Sequence, residues 1–154
     1  MNRFKIRTEV RFNKNALDTL KEFNGSSAAI ITDKFIVESG MINKITDKMN
    51  GYRDIFIFDK VTPDPTTSLI ADGLKFITEN KVDIIIALGG GSAIDAAKAI
   101  SFMAQQSNFK ELKLIAIPTT SGTGSEVTKF SVVTDSNDNL KYPLVDERML
   151  PDLA

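Results

Sequence analysis

The chain has 154 residues, 42% of them hydrophobic and 25% charged, with a net charge of −1. A chain of this size holds one ordinary domain and buries roughly 68–70% of its unfolded surface, so a proper core is expected. Near-neutral charge gives no electrostatic footprint for nucleic acid or an anionic membrane, no run of about 18 apolar residues suggests a span, and no signal peptide is visible, so a cytoplasmic location is expected. There is no cysteine and no histidine. A disulfide framework is therefore excluded. A zinc or iron site would have to be built from carboxylates alone, which suit magnesium or calcium better.

Taken in chain order, residues 3–12 alternate Phe4, Ile6, Thr8, Val10 and Phe12 at period two and predict a strand, and 15–23 predict a short helix. Residues 28–32 form an apolar strand ending at Asp33; the following helix carries Val37, Met41, Ile45 and Met49 at every fourth position. Strand 54–58 leads into the turn Thr62-Pro63-Asp64-Pro65-Thr66 and a helix with Ile70, Leu74 and Ile77 on one face. Strand 82–88 runs into Gly89, Gly90, Gly91 and Ser92, and the next helix aligns Ala93, Ala97, Ile100 and Ala104. Strand 112–117 ends in a loop rich in hydroxyls, and 130–134 with 142–145 predict a hairpin across 136–139. Apolar strands alternating with amphipathic helices predict an α/β fold, a parallel sheet with helices on both faces, plus a β-hairpin. The uninterrupted apolar runs at 84–86 and 114–117 agree, because parallel strands are buried on both faces. No repeat or linker divides the chain, and the stretch 150–154 offers no closing element, as if cut within a longer protein.

Ligands of open parallel sheets bind beyond the carboxyl ends of the strands, which selects Asp33, the loop 89–92 and the loop 119–125. Gly89, Gly90 and Gly91 let backbone approach a ligand, and a helix N-terminus attracts a phosphate; the alternative is a tight turn capped by Ser92. The G-x-G-x-x-G pattern is not met, since Ile94 stands three after Gly91. Asp33 suits either two ribose hydroxyls or a helix N-cap. Thr119, Thr120, Ser121, Thr123, Ser125 and Thr128 form a hydroxyl cluster able to surround a polar ligand, or a loop capping a short helix. Asp95 and Lys98, three apart on a helix, read as a surface ion pair, and Glu126 and Lys129 as solvated. Asp64 and Thr66 are weak site candidates within a turn and a cap.

Two segments carry a resemblance: 89–100, from Gly89-Gly90-Gly91-Ser92 through Asp95 and Lys98, and 117–128, from Ile117-Pro118-Thr119-Thr120 through Thr123, Ser125 and Thr128. With the turn 62–66 and Thr32-Asp33 in the same order, they resemble the N-terminal half of the iron-containing (group III) alcohol dehydrogenases. The connection 105–112 and Lys141-Tyr142-Pro143-Leu144 resemble the 1-propanol dehydrogenase branch of propanediol-utilisation microcompartments; an ethanol dehydrogenase branch of ethanolamine utilisation is a near alternative. The resemblance implies a Rossmann-like domain over 1–154, of the dehydroquinate synthase-like N-terminal type, with a helical metal-binding domain outside this chain. It implies NAD as cofactor: Gly89, Gly90, Gly91 and Ser92 at the pyrophosphate, Thr119, Thr120 and Thr123 along the adenosine and phosphate path, Lys141 near the nicotinamide ribose, and Asp33 at the adenosine ribose, favouring NAD over NADP. Asp95 belongs to the same candidate set.

In that family one aspartate and three histidines of the other domain hold Fe2+ or Zn2+; no position here matches them, so the resemblance assigns no metal ligand and no catalytic residue to this chain. The implied activity is hydride exchange between a short primary alcohol, 1-propanol foremost, and its aldehyde, in a homodimer associated with a microcompartment, the present chain alone being inactive. The alternatives are a non-catalytic nucleotide-binding or assembly module, a glycerol or polyol dehydrogenase of the same fold, and a sugar-phosphate enzyme related to dehydroquinate synthase. Asp33 together with Thr119 and Thr120 argues against the last of these.

Overall fold

The computed structural model describes residues 6–107 and 112–154. Residues 3–5 of the expected first strand and 108–111 of the connection after the long helix lie outside the described residues. Strands β1 (Ser27–Asp33), β2 (Asp54–Val61), β3 (Ile84–Gly89) and β4 (Lys113–Pro118) form a parallel sheet in the order β2-β1-β3-β4. Successive residues of β1 and β3 face opposite sides, as the period of a strand requires. Ala29, Ile31, Ile85 and Ala87 enter a core with helices α3 (Thr67–Glu79) and α4 (Gly91–Gln106). Ala28, Ile30, Ile84, Ile86 and Leu88 enter another, with Leu20 of a 3-10 turn (Ala16–Phe23), Ile36 of α1 (Lys34–Glu38) and Ile45 of α2 (Asn43–Thr46). Two apolar layers enclose one sheet, which explains why β1 and β3 read as continuous apolar runs.

The hairpin pairs β5 (Phe130–Thr134) with β6 (Lys141–Val145) in antiparallel register and packs on α4. Beyond β4 the sheet gains two short parallel additions. The Leu114 carbonyl accepts from Asp152 N at 2.8 Å, and Ala116 N donates to the Leu153 carbonyl at 2.8 Å. Glu9 then pairs with Leu153, and Arg11 N donates to the Ala154 carbonyl at 2.8 Å.

Three expectations are corrected. The period-two stretch 3–12 is a strand only by the bridge at Glu9 among the described residues, because its partner is the three-residue edge 152–154. That same edge corrects the view of 150–154 as a stretch without structural closure: it pairs on both sides. The helix expected through Val37, Met41, Ile45 and Met49 is broken into α1 and α2. Gly40 takes φ +73°, and its N–H donates to the Val37 carbonyl at 3.0 Å, which ends the first turn. Glycine adopts that left-handed conformation without the Cβ penalty.

Candidate functional site

The order β2-β1-β3-β4 reverses direction between β1 and β3. At such a switch point the connections leave the two strand ends on opposite faces and open a crevice beyond them. A cleft of about 820 Å³ lies there, lined on one side by Asp33, Phe35, Met41, Thr62 and Pro63, and on the other by Gly90, Gly91, Ser92, Thr119, Thr120 and Thr123. A smaller, more apolar hollow of about 120 Å³ sits elsewhere, against Leu17, Ile117 and Leu153, and carries none of these groups.

The floor of the cleft is the start of α4. Its N-cap is Gly90, extended at φ −81°, ψ −168°, and among the described residues no side chain caps the helix. The role considered for Ser92 as the cap is thereby corrected, since Ser92 lies one residue inside the helix. The first intrahelical bond of this end runs from Ile94 N to the Gly90 carbonyl at 3.1 Å. The N–H groups of the preceding residues point out of the helix end, where partial positive charge accumulates. Gly89 does not line the cleft. It is buried at φ +148°, and a Cβ there would come within 2.8 Å of Ala93 Cβ, so it serves the sharp turn from β3 into α4. A Cβ on Gly90 would meet Thr120 at 3.2 Å, so the loop after β4 lies almost on the backbone of the helix start.

Asp33 closes β1 and caps α1, its Oδ1 accepting from Ile36 N at 3.0 Å. Both meanings of this residue are compatible. The capping oxygen is committed to α1, and Oδ2 is the one facing the glycine turn, 3.6 Å from where a Gly89 Cβ would stand. Next to it, Thr32 donates its hydroxyl to the Leu88 carbonyl at 2.7 Å, tying the ends of β1 and β3 together. Thr66 caps α3 through Leu69 N, as its turn position suggested. Asp64, at φ +57°, pairs with Lys141 Nζ at 2.7 Å, and both side chains are exposed. Lys141 therefore stands on the hairpin above the turn 62–66 and is not part of the cleft lining.

Asp95 and Lys98 do not form a surface ion pair. Lys98 is fully buried, and its Nζ donates to Ser125 Oγ at 3.0 Å, Thr128 Oγ1 at 3.2 Å and the Phe130 carbonyl at 2.8 Å. Asp95 accepts from Ser125 Oγ at 2.5 Å and from Val132 N at 3.0 Å. Burial lowers the Lys98 pKa to about 8, against the opposing pull of Asp95 and Glu126. Glu126 is corrected too. Its Oε2 is buried and has no hydrogen-bond partner among the described residues, whereas Lys129 pairs at the surface with Glu147 at 2.7 Å. The sequence alone did not reveal this cluster, although a signal existed: between 93 and 104 α4 carries only Asp95, Lys98 and Ser101 as polar side chains, too few for a solvent-facing stripe. It also missed Phe35, Met41, Thr62 and Pro63, which reach the cleft only through the fold.

The donor set does not fit a transition metal. The chain has no histidine or cysteine, and among the described residues no group of three or more acidic side chains could hold an ion. Among the described residues, too, no helix is long and apolar enough to cross a membrane.

A doubly wound α/β domain with a crevice at its switch point, edged by glycine backbone, hydroxyls and one carboxylate, is the class that fold and site define. The chain belongs to the iron-containing alcohol dehydrogenase family, whose model matches residues 7–154. It is 39% identical to the 1-propanol dehydrogenase PduQ of Citrobacter freundii and 38% identical to that of Salmonella typhimurium, in each case over the whole chain and 42% of the relative. The chain thus spans less than half the length of these relatives. Among solved structures it is similar to the sulfoacetaldehyde reductase of Bifidobacterium kashiwanohense in complex with NAD+, with a TM-score of 0.87 and 28% identity, covering 100% of this chain and 45% of the other.

Proposed function

We propose that the chain is the NAD-binding domain, over 1–154, of an alcohol dehydrogenase that interconverts a short primary alcohol and its aldehyde, 1-propanol and propanal foremost. The observation that carries the reading is the start of α4, which no side chain among the described residues caps and which opens into the cleft through glycine. The N–H groups there suit a pyrophosphate, and the bare backbone at Gly90 and Gly91 allows it to approach. Gly89 contributes the turn that aims the helix. Ser92, Thr119, Thr120 and Thr123 donate hydroxyls around the phosphate and adenosine path. Asp33 accepts from the adenosine ribose hydroxyls through the oxygen not used in capping. Its charge favours NAD, because the additional phosphate of NADP would stand against a carboxylate. Lys141, on the rim, lies toward the nicotinamide ribose, while Asp95 supports the loop from behind.

Bound nicotinamide supplies the hydride-accepting ring; the residues of this chain bind and orient it. The metal that the family name implies does not fit this chain's donors, so the metal ligands and the alcohol pocket belong to the remainder of the family's architecture. The chain by itself therefore binds nucleotide without turnover. Homodimeric assembly and residence in a microcompartment extend the same reading, on the strength of the resemblance to PduQ.

Calorimetric titration with NAD and then NADP tests the proposal. The expected result is saturable binding of NAD and at least tenfold weaker binding of NADP. Absence of NAD binding by a folded sample would overturn it, and equal affinity would remove the ribose role of Asp33.

A further inference from the structure

The cluster of Asp95, Lys98, Ser125 and Glu126 lies behind the cleft wall, and nothing in the binding of a nucleotide requires it directly. It nevertheless forms a polar connection between α4 and the segment that follows the hydroxyl loop. Lys98 reaches from the helix to three acceptors on that segment, at residues 125, 128 and 130. Asp95, one turn earlier, accepts from Ser125 and Val132, and its backbone carbonyl accepts from Ser131 Oγ at 2.8 Å. Ser125 Oγ stands between the two, accepting from the ammonium and donating to the carboxylate.

We infer that Lys98 is a positioning residue for the cleft: with Asp95 it clamps the segment 125–132 to α4 and so fixes where the loop 119–124 stands across Gly90 and Gly91. The inference rests on the nucleotide reading of the cleft. The loop needs such an anchor. It contains two glycines at positive φ, Gly122 at +90° and Gly124 at +65°, and Thr119, Thr120 and Thr123 are exposed. Its upstream end is held by Thr119 N on the Gly89 carbonyl at 2.9 Å, and its downstream end by the clamp. A displacement at Ser125 is thereby passed to Thr120 and Thr123, the residues that lie over the helix start.

The charged groups acting on Lys98 are Asp95 from its own helix and Glu126 from the loop segment; β5 offers the Phe130 carbonyl. The clamped state, with its amine pKa near 8, favours the neutral amine relative to an opened state in water. Opening therefore becomes harder as pH rises through 8, and a lysine-free clamp lacks that dependence.

Amide hydrogen exchange of Val127, Thr128 and Val132, corrected for intrinsic rates between pH 7 and 9.5, reads the clamp. NAD titration of the same samples reads the cleft. Lys98→Met should speed exchange at these amides about tenfold at pH 7, leave strand 84–89 protected, flatten the pH dependence and weaken NAD about tenfold. Ser125→Ala, a smaller change should the first variant fail to fold, should move exchange and affinity in the same directions. Wild-type exchange rates in the folded variants would overturn the clamp. A loosened segment with unchanged NAD affinity would overturn its link to the cleft. If the wild-type protein binds no NAD, the nucleotide reading fails, and exchange alone decides on the clamp.

Discussion

At Asp33 one carboxylate serves the fold through one oxygen and the cleft through the other. The two duties separate by substitution. Asp33→Ser keeps an N-cap acceptor and removes the charge, so stability should hold within about 0.5 kcal/mol while preference shifts from NAD toward NADP. Asp33→Ala removes both and should cost about 1 kcal/mol more. Thermal unfolding with parallel nucleotide titrations checks the pair; unchanged selectivity in Asp33→Ser would detach the residue from the ribose. The sequence offered the cap and the ribose role as alternatives because position alone does not reveal which oxygen points where. Lys98 was harder to read: a lysine three residues after an aspartate on a helix is ordinarily a solvated pair, and only the hairpin folding over α4 makes it internal.

Elements were legible where one periodicity governed them. β1, β3 and α4 declared themselves through apolar runs and the glycine turn, and the structure places them within a residue or two. The break at Gly40 was not legible, because the four-residue apolar repeat continues across it and both short helices use it against the same core. Residues 3–12 misled for a related reason: alternation marks a chain with two faces, but the length of a strand depends on the partner edge. The contact between α3 and α4 depends on Gly73, which is buried and has no room for a Cβ against the Ile100 side chain. Gly73→Val should destabilise the protein by about 1–3 kcal/mol through overpacking, measured by chemical unfolding. A neutral result would mean that Ile100 can turn aside and that this helix contact is looser than its geometry suggests.

For the whole molecule, fold and cleft share one cause. Alternating apolar strands and helices produce a doubly wound sheet. Its strand order then places Asp33, the glycine turn and the hydroxyl loop at one crevice, though they stand far apart in the chain. That convergence was readable because each of these segments directly follows an apolar strand. Lys141 was not readable in this way, because it sits on the hairpin, outside the parallel sheet, and its place follows from how the hairpin meets the turn 62–66. The most direct test of the central claim is to map NAD binding residue by residue on the labelled protein by amide chemical-shift perturbation. The account predicts the largest shifts at Asp33, Gly90 through Ala93 and Thr119 through Thr123, with Leu17, Ile117 and Leu153 unmoved. Shifts concentrated at that second group, or none at saturating NAD, would contradict it.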